Sequence, residues 1–350
     1  MTNSINSLNN SLFDDAEISA LWSNDSQLGF VIDFEIAFTD ALLKAGRISD
    51  DAAQTAVLKM QNFQPDYAEL AIGVRRDGLL IPSLVKQLKN GLSEPLAIHT
   101  GSTSQDALDT ALVLTLRQIA NIISERLHSV IVLLEELDAK FGNATIMGRT
   151  RMQAANPILA SHRIKSWKAG ITNQLSRLEK AVDEISVLQL GGATGDNSAL
   201  GEDAVLIANH MASELELMAP TLCWHSVRDG VVEFGNVLSM ITGSLGKIGL
   251  DIVLMAQQGI DEITLAGGGG SSAMPHKKNP VLAELLVTLA RYNAGQVAIL
   301  HNALVHEQER SGSAWMLEWL TLPQMTITTG AALSAAEELL SKVADIKGSE

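Results

Sequence analysis

The run DALDTALVLTLRQIANIISERLHSVIVLLEELDAK, residues 106–140, decides the fold. Leu112, Leu116, Ile119, Ile123, Leu127, Val130, Leu134 and Leu137 recur at spacings of three and four, which places them on one face of an α-helix. The stripe is unbroken until Gly142, so it predicts about 50 Å of helix at about 1.5 Å per residue. A second stripe runs Trp167, Ile171, Leu175, Leu178, Val182, Ile185 and Leu188 to Gly191-Gly192. A third runs Val227, Val231, Phe234, Leu238, Ile241, Leu245, Ile248, Ile252 and Met255 to near Gly259. A fourth opens at Pro280 and continues through Leu285 and Leu289 toward Ala303, and a fifth is placed after Pro323, over Leu333 to Val343.

Helices this long cannot each bury a stripe in a monomer of ordinary shape. The expected fold is all-α, an elongated bundle of about five long helices. Gly243, Gly246, Gly249, Ala290 and Gly295 point to close helix–helix approach. Apolar residues on more than one face of the third and fourth helices predict that bundles pack on one another as a homo-oligomer.

Upstream, helical spacing from Asp14 to Ala45 is broken near Asn24-Asp25, Gly46 reads as a stop, and Ser49-Asp50 starts another helix. Pro65 to Asn90 reads as short helices with breaks at Gly73, Gly78 and Pro82. The expected organisation is an N-terminal helical domain with a disordered tail over 1–105, a central long-helix bundle over 106–310, and the last bundle helix with a truncated C-terminal region over 311–350.

Composition narrows the function. Lys and Arg number 25 against 40 Asp and Glu, a formal charge of −15 that argues against binding a phosphate backbone, so no nucleic-acid partner is expected. The Asn/Ser-rich start lacks the basic and apolar regions of a secretory signal, and no uninterrupted run of 18 apolar residues occurs, so neither export nor a membrane span is expected. A single cysteine, Cys223, excludes an internal disulfide framework and suits a reducing compartment, so the cytoplasm is the expected location. The eight histidines show no dense ligand spacing, so no metal and no organic cofactor is expected.

Three polar clusters stand at the ends of the long helices. The first is His99-Thr100-Gly101-Ser102-Thr103-Ser104-Gln105-Asp106, and the second is Gly148-Arg149-Thr150-Arg151-Met152-Gln153-Ala154-Ala155-Asn156-Pro157. The third is Gly267-Gly268-Gly269-Gly270-Ser271-Ser272-Ala273-Met274-Pro275-His276-Lys277-Lys278-Asn279-Pro280. Four glycines read as backbone kept free to move, and Asn279-Pro280 as a cap and first-turn proline opening a helix near Val281. Capping by Thr103 or Ser104, and by Asn156 before Pro157, accounts for some of these residues. It does not account for Arg149 and Arg151, because cations at a helix entry oppose the dipole unless they face an anion.

The run Gly-Ser-Ser-Ala-Met-Pro-His-Lys-Lys-Asn-Pro resembles the signature loop of the fumarase/aspartase superfamily, which makes and breaks bonds beside a carboxylate. The resemblance covers roughly residues 14 to 340. It implies that three separated segments, contributed by several subunits, converge on one active site. Carried over by position, His99, Thr103, Ser104 and Asp106 would lie in the site, with Thr103 and Ser104 bonding a substrate carboxylate. The second segment is similar to Gly-x-Thr-His-x-Gln and would contribute Thr150 and Gln153. In the third, Ser271 would be the proton-transfer base, with Lys277 and Asn279 on the substrate carboxylate. Met274 matches a family position beside them, and Ser272 is a further substrate-binding candidate.

The informative departure is Arg151, which stands where most of the superfamily's lyases carry the histidine that handles the leaving group's proton. An amine or hydroxide leaving group needs a general acid near neutral pH, whereas a carboxylate, with a pKa of about 4, departs as a stable anion. A guanidinium that grips that carboxylate could then replace the imidazole. Together with Ser-Gln-Asp at 104–106 and the run from His306 through Trp319, this resembles the carboxymuconate cycloisomerases. Their activity implies a small tricarboxylate substrate, held by Arg149, Arg151, His276, Lys277, Lys278 and Arg310, and shared sites in a homotetramer. An adenylosuccinate lyase-type enzyme and a non-catalytic homologue of the same fold are the alternatives.

Overall fold

The computed structural model describes residues 7–270, 274 and 277–348. The N-terminal region is a succession of helices: α1 (Ser7–Asn10), α2 (Ala16–Leu21), α3 (Asn24–Lys44), α4 (Asp50–Gln61), α5 (Tyr67–Asp77) and α6 (Ile81–Lys89). Side-chain caps start four of them, from Asp15, Ser23, Ser49 and Asp66. Gly73 is no break: it lies inside α5, where a Cβ would sit 1.8 Å from Ser83 Oγ on α6. Pro82 does not interrupt a helix either, since it occupies the first turn of α6.

Five long helices then form the bundle: α7 (Ser104–Phe141), α8 (Ala160–Ile185), α10 (Asp229–Met255), α11 (Val281–Ala303) and α12 (Ser313–Ser341), with the shorter α9 (Ala204–Glu214) between the second and third. Their directions follow from side-chain pairs. Trp167 and Gln174 of α8 bond Asp251 and Ser244 of α10, so those two helices are antiparallel. Asp109 and Arg126 of α7 meet Trp315 and Gly330 of α12 in the same order, so α7 and α12 are parallel. Consequently α7, α10 and α12 begin at one end of the bundle, the head, and α8 and α11 begin at the other, the tail.

The expected fifth helix was placed too late. Pro323 lies inside α12, which begins ten residues earlier at Ser313. An interior proline costs a helix about 3 kcal/mol. Burial of Trp315 and Ala314 before it and Leu322 and Met325 around it carries the helix through.

Close approach is real at two of the expected glycines. A Cβ on Gly246 would lie 2.5 Å from Ala290 Cβ, and one on Gly249 would lie 2.5 Å from the Ala283 carbonyl. Gly243 and Gly295 have open space instead. The uninterrupted-run criterion also overlooked α10, which is long and apolar enough to cross a membrane, with a mean hydropathy of 1.6 over its best 18-residue window. Here it is the central helix, and Phe234, Val237, Leu238, Ile241, Leu245, Ile248 and Ile252 are fully buried. A second apolar cluster joins α3, α4 and α6 to Ala107, Ala111 and Leu188 through Ala212.

The tail carries the described strands. β1 (Thr145–Thr150) and β2 (Gln153–Leu159) form an antiparallel hairpin, and β3 (Ile263–Leu265) pairs antiparallel with β4 (Val343–Ile346). The hairpin overturns the reading of Asn156-Pro157 as a helix start. Both residues lie in β2, and α8 begins only at Ala160, because pairing of 145–150 with 153–159 satisfies the backbone in extended form.

Candidate active site

At the head, the first turn of α7 is organised by a carboxylate that the solvent does not reach. Asp106 is fully buried and accepts from the Thr103, Gly191 and Gly192 backbone N–H groups at 2.9, 2.8 and 2.9 Å. His225 Nε2 lies 2.8 Å from the same carboxylate. Asp106 therefore ties two loops together and has no position left for a substrate, contrary to the sequence expectation. Burial lowers the His225 pKa, but bonding to Asp106 and then the neighbouring Cys223 outweigh it and lift the pKa from 6.5 to about 9.

One turn further along α7, Asp109 belongs to a dry ionic cluster. Arg228 donates to Asp109 at 2.7 and 3.0 Å and to Glu318 at 2.9 and 2.5 Å, and all three residues are at most 1% exposed. Trp315 and Gln105 also donate to Asp109. Burial works against the Arg228 charge, and the two carboxylates overcome it and raise its pKa. Burial in turn pushes Glu318 up, against the pull of Arg228, and pushes His306 down. The cluster locks the starts of α7, α10 and α12 together.

His99, Thr103 and Ser104 are only partly buried at this end. Arg310 is held beside them, donating to the Gly192 and Ala193 carbonyls at 3.5 and 3.2 Å. Carbonyls carry no countercharge, and Arg310 makes no ion pair among the described residues. Cationic Arg310 and the N-termini of α7 and α12 make this part of the head attractive to an anion.

At the tail, the hairpin turns through Arg151 and Met152, both at positive φ (48° and 65°), which sets Arg151 at the exposed tip. Thr150 and Gln153 flank it as a Cα pair across the hairpin. Arg149 is not a free cation: it donates to the buried Glu262 at 2.6 Å, alongside Arg163 at 3.3 Å. Arg151 makes no ion pair among the described residues. It overlooks a groove of about 680 Å³ lined by Arg149, Thr150, Arg151, Asn156, His162 and Arg163. A cavity of about 760 Å³ at the head, between the end of α8 and the start of α10, is lined by Leu222, Trp224 and Val227 with Glu184, Asp229 and Glu233, which suits no polyanion.

The glycine loop also leaves the bundle at the tail. Its glycines are not simply loose chain. Gly269 and Asn279 exchange two backbone hydrogen bonds of 3.0 Å, pinning the loop's ends together, and a Cβ on Gly269 would strike Val281 at 2.6 Å. Gly267 and Gly268 hold φ of 81° and 151°, which side chains rarely adopt. Lys277 is exposed, and its N–H donates to the Met274 carbonyl at 3.0 Å. Asn279 is half-buried and Met274 exposed, and α11 opens at Val281 as expected, though no side chain caps it. Ser271, Ser272 and His276 lie outside the described residues.

The structure therefore brings Arg151, Gln153 and Thr150 together at the tail hairpin and His99, Ser104 and Arg310 together at the head. It does not bring the two groups to each other, because the 38 residues of α7 separate them by about 57 Å at about 1.5 Å per residue. Residues 15–297 match the lyase family. The chain belongs to that family, within the fumarase/aspartase superfamily. This lyase-family chain is 34% identical over 343 residues to the 3-carboxy-cis,cis-muconate cycloisomerase of Pseudomonas aeruginosa, covering 96% of itself and 75% of that relative. It is 32% identical over 332 residues to the N-acetyl-S-(2-succino)cysteine lyase of Dickeya dadantii, covering 94% of itself and 73% of the relative. Its backbone matches the crystal structure of 3-carboxy-cis,cis-muconate lactonizing enzyme from Pseudomonas putida with a TM-score of 0.90 and 32% identity, over 99% of this chain and 78% of that one.

Sequence reasoning missed Glu35, His225, Arg228 and Glu318. Each is a charged or titratable group buried among apolar neighbours, and such groups need a partner. Glu35 could have been found, since it sits on the stripe formed by Val31, Phe34 and Phe38. Arg228 and Glu318 carry no such local signal, because their partners lie about ninety positions away in the chain.

Proposed function

We propose that the chain is a cofactor-independent cycloisomerase that interconverts 3-carboxy-cis,cis-muconate and 4-carboxymuconolactone in the β-ketoadipate pathway. The observation that carries this reading is Arg151, an exposed guanidinium at the tip of the hairpin that makes no ion pair among the described residues. In the lactonising direction an internal carboxylate adds to the alkene carbon, and charge develops on the conjugated carboxylate. Arg151 orients the attacking carboxylate, which needs no general acid when it departs in reverse. Lys277, Asn279 and the donors at helix N-termini stabilise the developing charge. Ser271 delivers the proton to the adjacent carbon and removes it in reverse.

Because head and tail groups sit at opposite ends of α7, a complete site requires the head of one subunit to meet the tails of others. We read the assembly as a homotetramer with shared sites, in the cytoplasm. The division at 1–105, 106–310 and 311–350 belongs to the same reading.

Purified protein is assayed by absorbance with 3-carboxymuconate, with adenylosuccinate and with a succinylated thiol. Turnover of the first alone is expected. Turnover of adenylosuccinate instead would sink the argument from Arg151. Replacement of Ser271 by Ala is expected to abolish turnover while leaving substrate binding intact, and substantial residual turnover removes Ser271 from the base role.

A further inference from the structure

Glu35 is fully buried on α3, with Val31, Phe34 and Phe38 of the same helix buried around it. Its Oε1 lies 2.5 Å from His99 Nδ1, while Oε2 has no hydrogen-bond partner among the described residues. Ser102 Oγ lies 3.1 Å from the same Nδ1. His99 itself is held at φ 54°, a left-handed conformation uncommon for a residue with a side chain. Its side chain is 13% exposed, and its Nε2 makes no hydrogen bond among the described residues. One ring nitrogen is thus fixed from behind by a buried carboxylate, and the other is left for something outside the chain.

Stability does not explain this arrangement. A buried carboxylate with one partner and one orphaned oxygen costs more desolvation than an apolar side chain of similar volume would. The unusual backbone at His99 adds a further cost. Both features serve to orient one imidazole beside Ser102, just ahead of α7. The second cluster offers Arg151, which cannot exchange a proton near neutral pH, and His225 is spent on the buried Asp106, so His99 is the partly exposed ring near the start of α7.

We propose that Glu35 is a positioning residue of the reaction. By accepting the Nδ1–H of His99 it fixes which ring nitrogen carries that proton and presents Nε2 to a carboxylate of the bound tricarboxylate. The proposal rests on the cycloisomerase reading for its substrate. The geometry of the pair stands without it.

The test compares the unaltered protein with Glu35→Leu, Glu35→Gln, His99→Gln and the double variant Glu35→Leu/His99→Gln. Thermal melts establish which variants are folded. The ¹⁵N spectrum of the imidazoles, recorded without substrate, is expected to show His99 protonated at Nδ1 in the unaltered protein and a mixture of ring states in Glu35→Leu. With 3-carboxymuconate, kcat/KM is expected to fall on the order of ten- to a hundredfold in Glu35→Leu, the range for losing a positioned hydrogen bond to a charged group. Glu35→Gln, which keeps an acceptor, recovers part of the loss. The double variant is no slower than His99→Gln alone, because Glu35 acts only through that ring. An identical imidazole spectrum in Glu35→Leu, or losses that multiply in the double variant, overturns the proposal. If the unaltered protein does not turn over 3-carboxymuconate, the cycloisomerase reading fails, and the spectrum alone decides the role of Glu35.

Discussion

Replacing Arg228 by Ala probes the cluster on which the head of the bundle is built. The change removes four hydrogen bonds, of 2.9, 2.7, 3.0 and 2.5 Å, and leaves Asp109 and Glu318 facing each other in a region that is at most 1% exposed. Removing one partner of a buried ion pair costs roughly 3–5 kcal/mol, because the remaining charge loses its compensation without regaining water. Here two carboxylates are stranded and repel each other, so the upper end of that range is expected. The Lys86–Glu69 pair gives the contrast: its side chains are 76% and 42% exposed, and Lys86→Ala should cost about 0–1 kcal/mol. Urea denaturation at fixed protein concentration measures both, which keeps any contribution from association constant.

The pH dependence adds a second check. Burial already raises the Glu318 pKa above its usual 4.5, and Arg228 resists that shift. Without Arg228 the shift grows. A carboxyl whose folded pKa lies above its unfolded value contributes stability below the unfolded pKa and loses it as pH rises through the folded one. Arg228→Ala should therefore be more damaging at pH 8 than at pH 5. A cost no larger than that of Lys86→Ala, or one identical at both pH values, would refute the assignment of these three residues as a dry, mutually dependent cluster.

Other outcomes follow from the same reasoning. The His225 pKa rises from 6.5 to about 9 in the folded chain. Its pairing with Asp106 therefore stabilises fully below pH 6.5 and is lost as pH rises through about 9, a decline that thermal melts should show and that Asp106→Asn should flatten. Gly249→Ala sets a Cβ 2.5 Å from the Ala283 carbonyl and 2.8 Å from Leu286 Cβ. It should cost about 1–3 kcal/mol by denaturation, whereas Gly243→Ala, with nothing within 4 Å, should be neutral or stabilising by up to about 1 kcal/mol. Arg151→Lys keeps charge but not the planar fork, so KM for 3-carboxymuconate should rise on the order of tenfold, and further in Arg151→Ala. The substrate's on-rate should fall steeply with added salt, since a chain of net charge −15 must attract a polyanion through a local cationic basin. A flat on-rate removes that basin.

Much of the architecture is written locally. The stripes of α7, α8, α10 and α11 are periodic over many turns, and Gly142, Gly46 and Ser49 mark boundaries where the chain does end or begin helices. Local rules failed where a distant contact overrode them. Pro323 stays helical because α7, α10 and α11 bury the helix around it. Asn156-Pro157 is extended because a strand eight to twelve residues upstream pairs with it. Arg149 and Arg151 look equivalent in sequence, yet Glu262, more than a hundred residues away, neutralises only the first.

By itself the sequence determined the all-α class, the five long helices and the three polar clusters, because helical period and turn chemistry act over a few residues at a time. Only the tertiary structure decided which charges are free. Asp106 is consumed by loop amides and His225, Arg149 by Glu262, and Arg228 by two carboxylates, while among the described residues Arg151 makes no ion pair and His99 Nε2 no hydrogen bond. Whether a charge is available depends on what stands within about 3 Å of it, and those partners come from segments that only folding brings together.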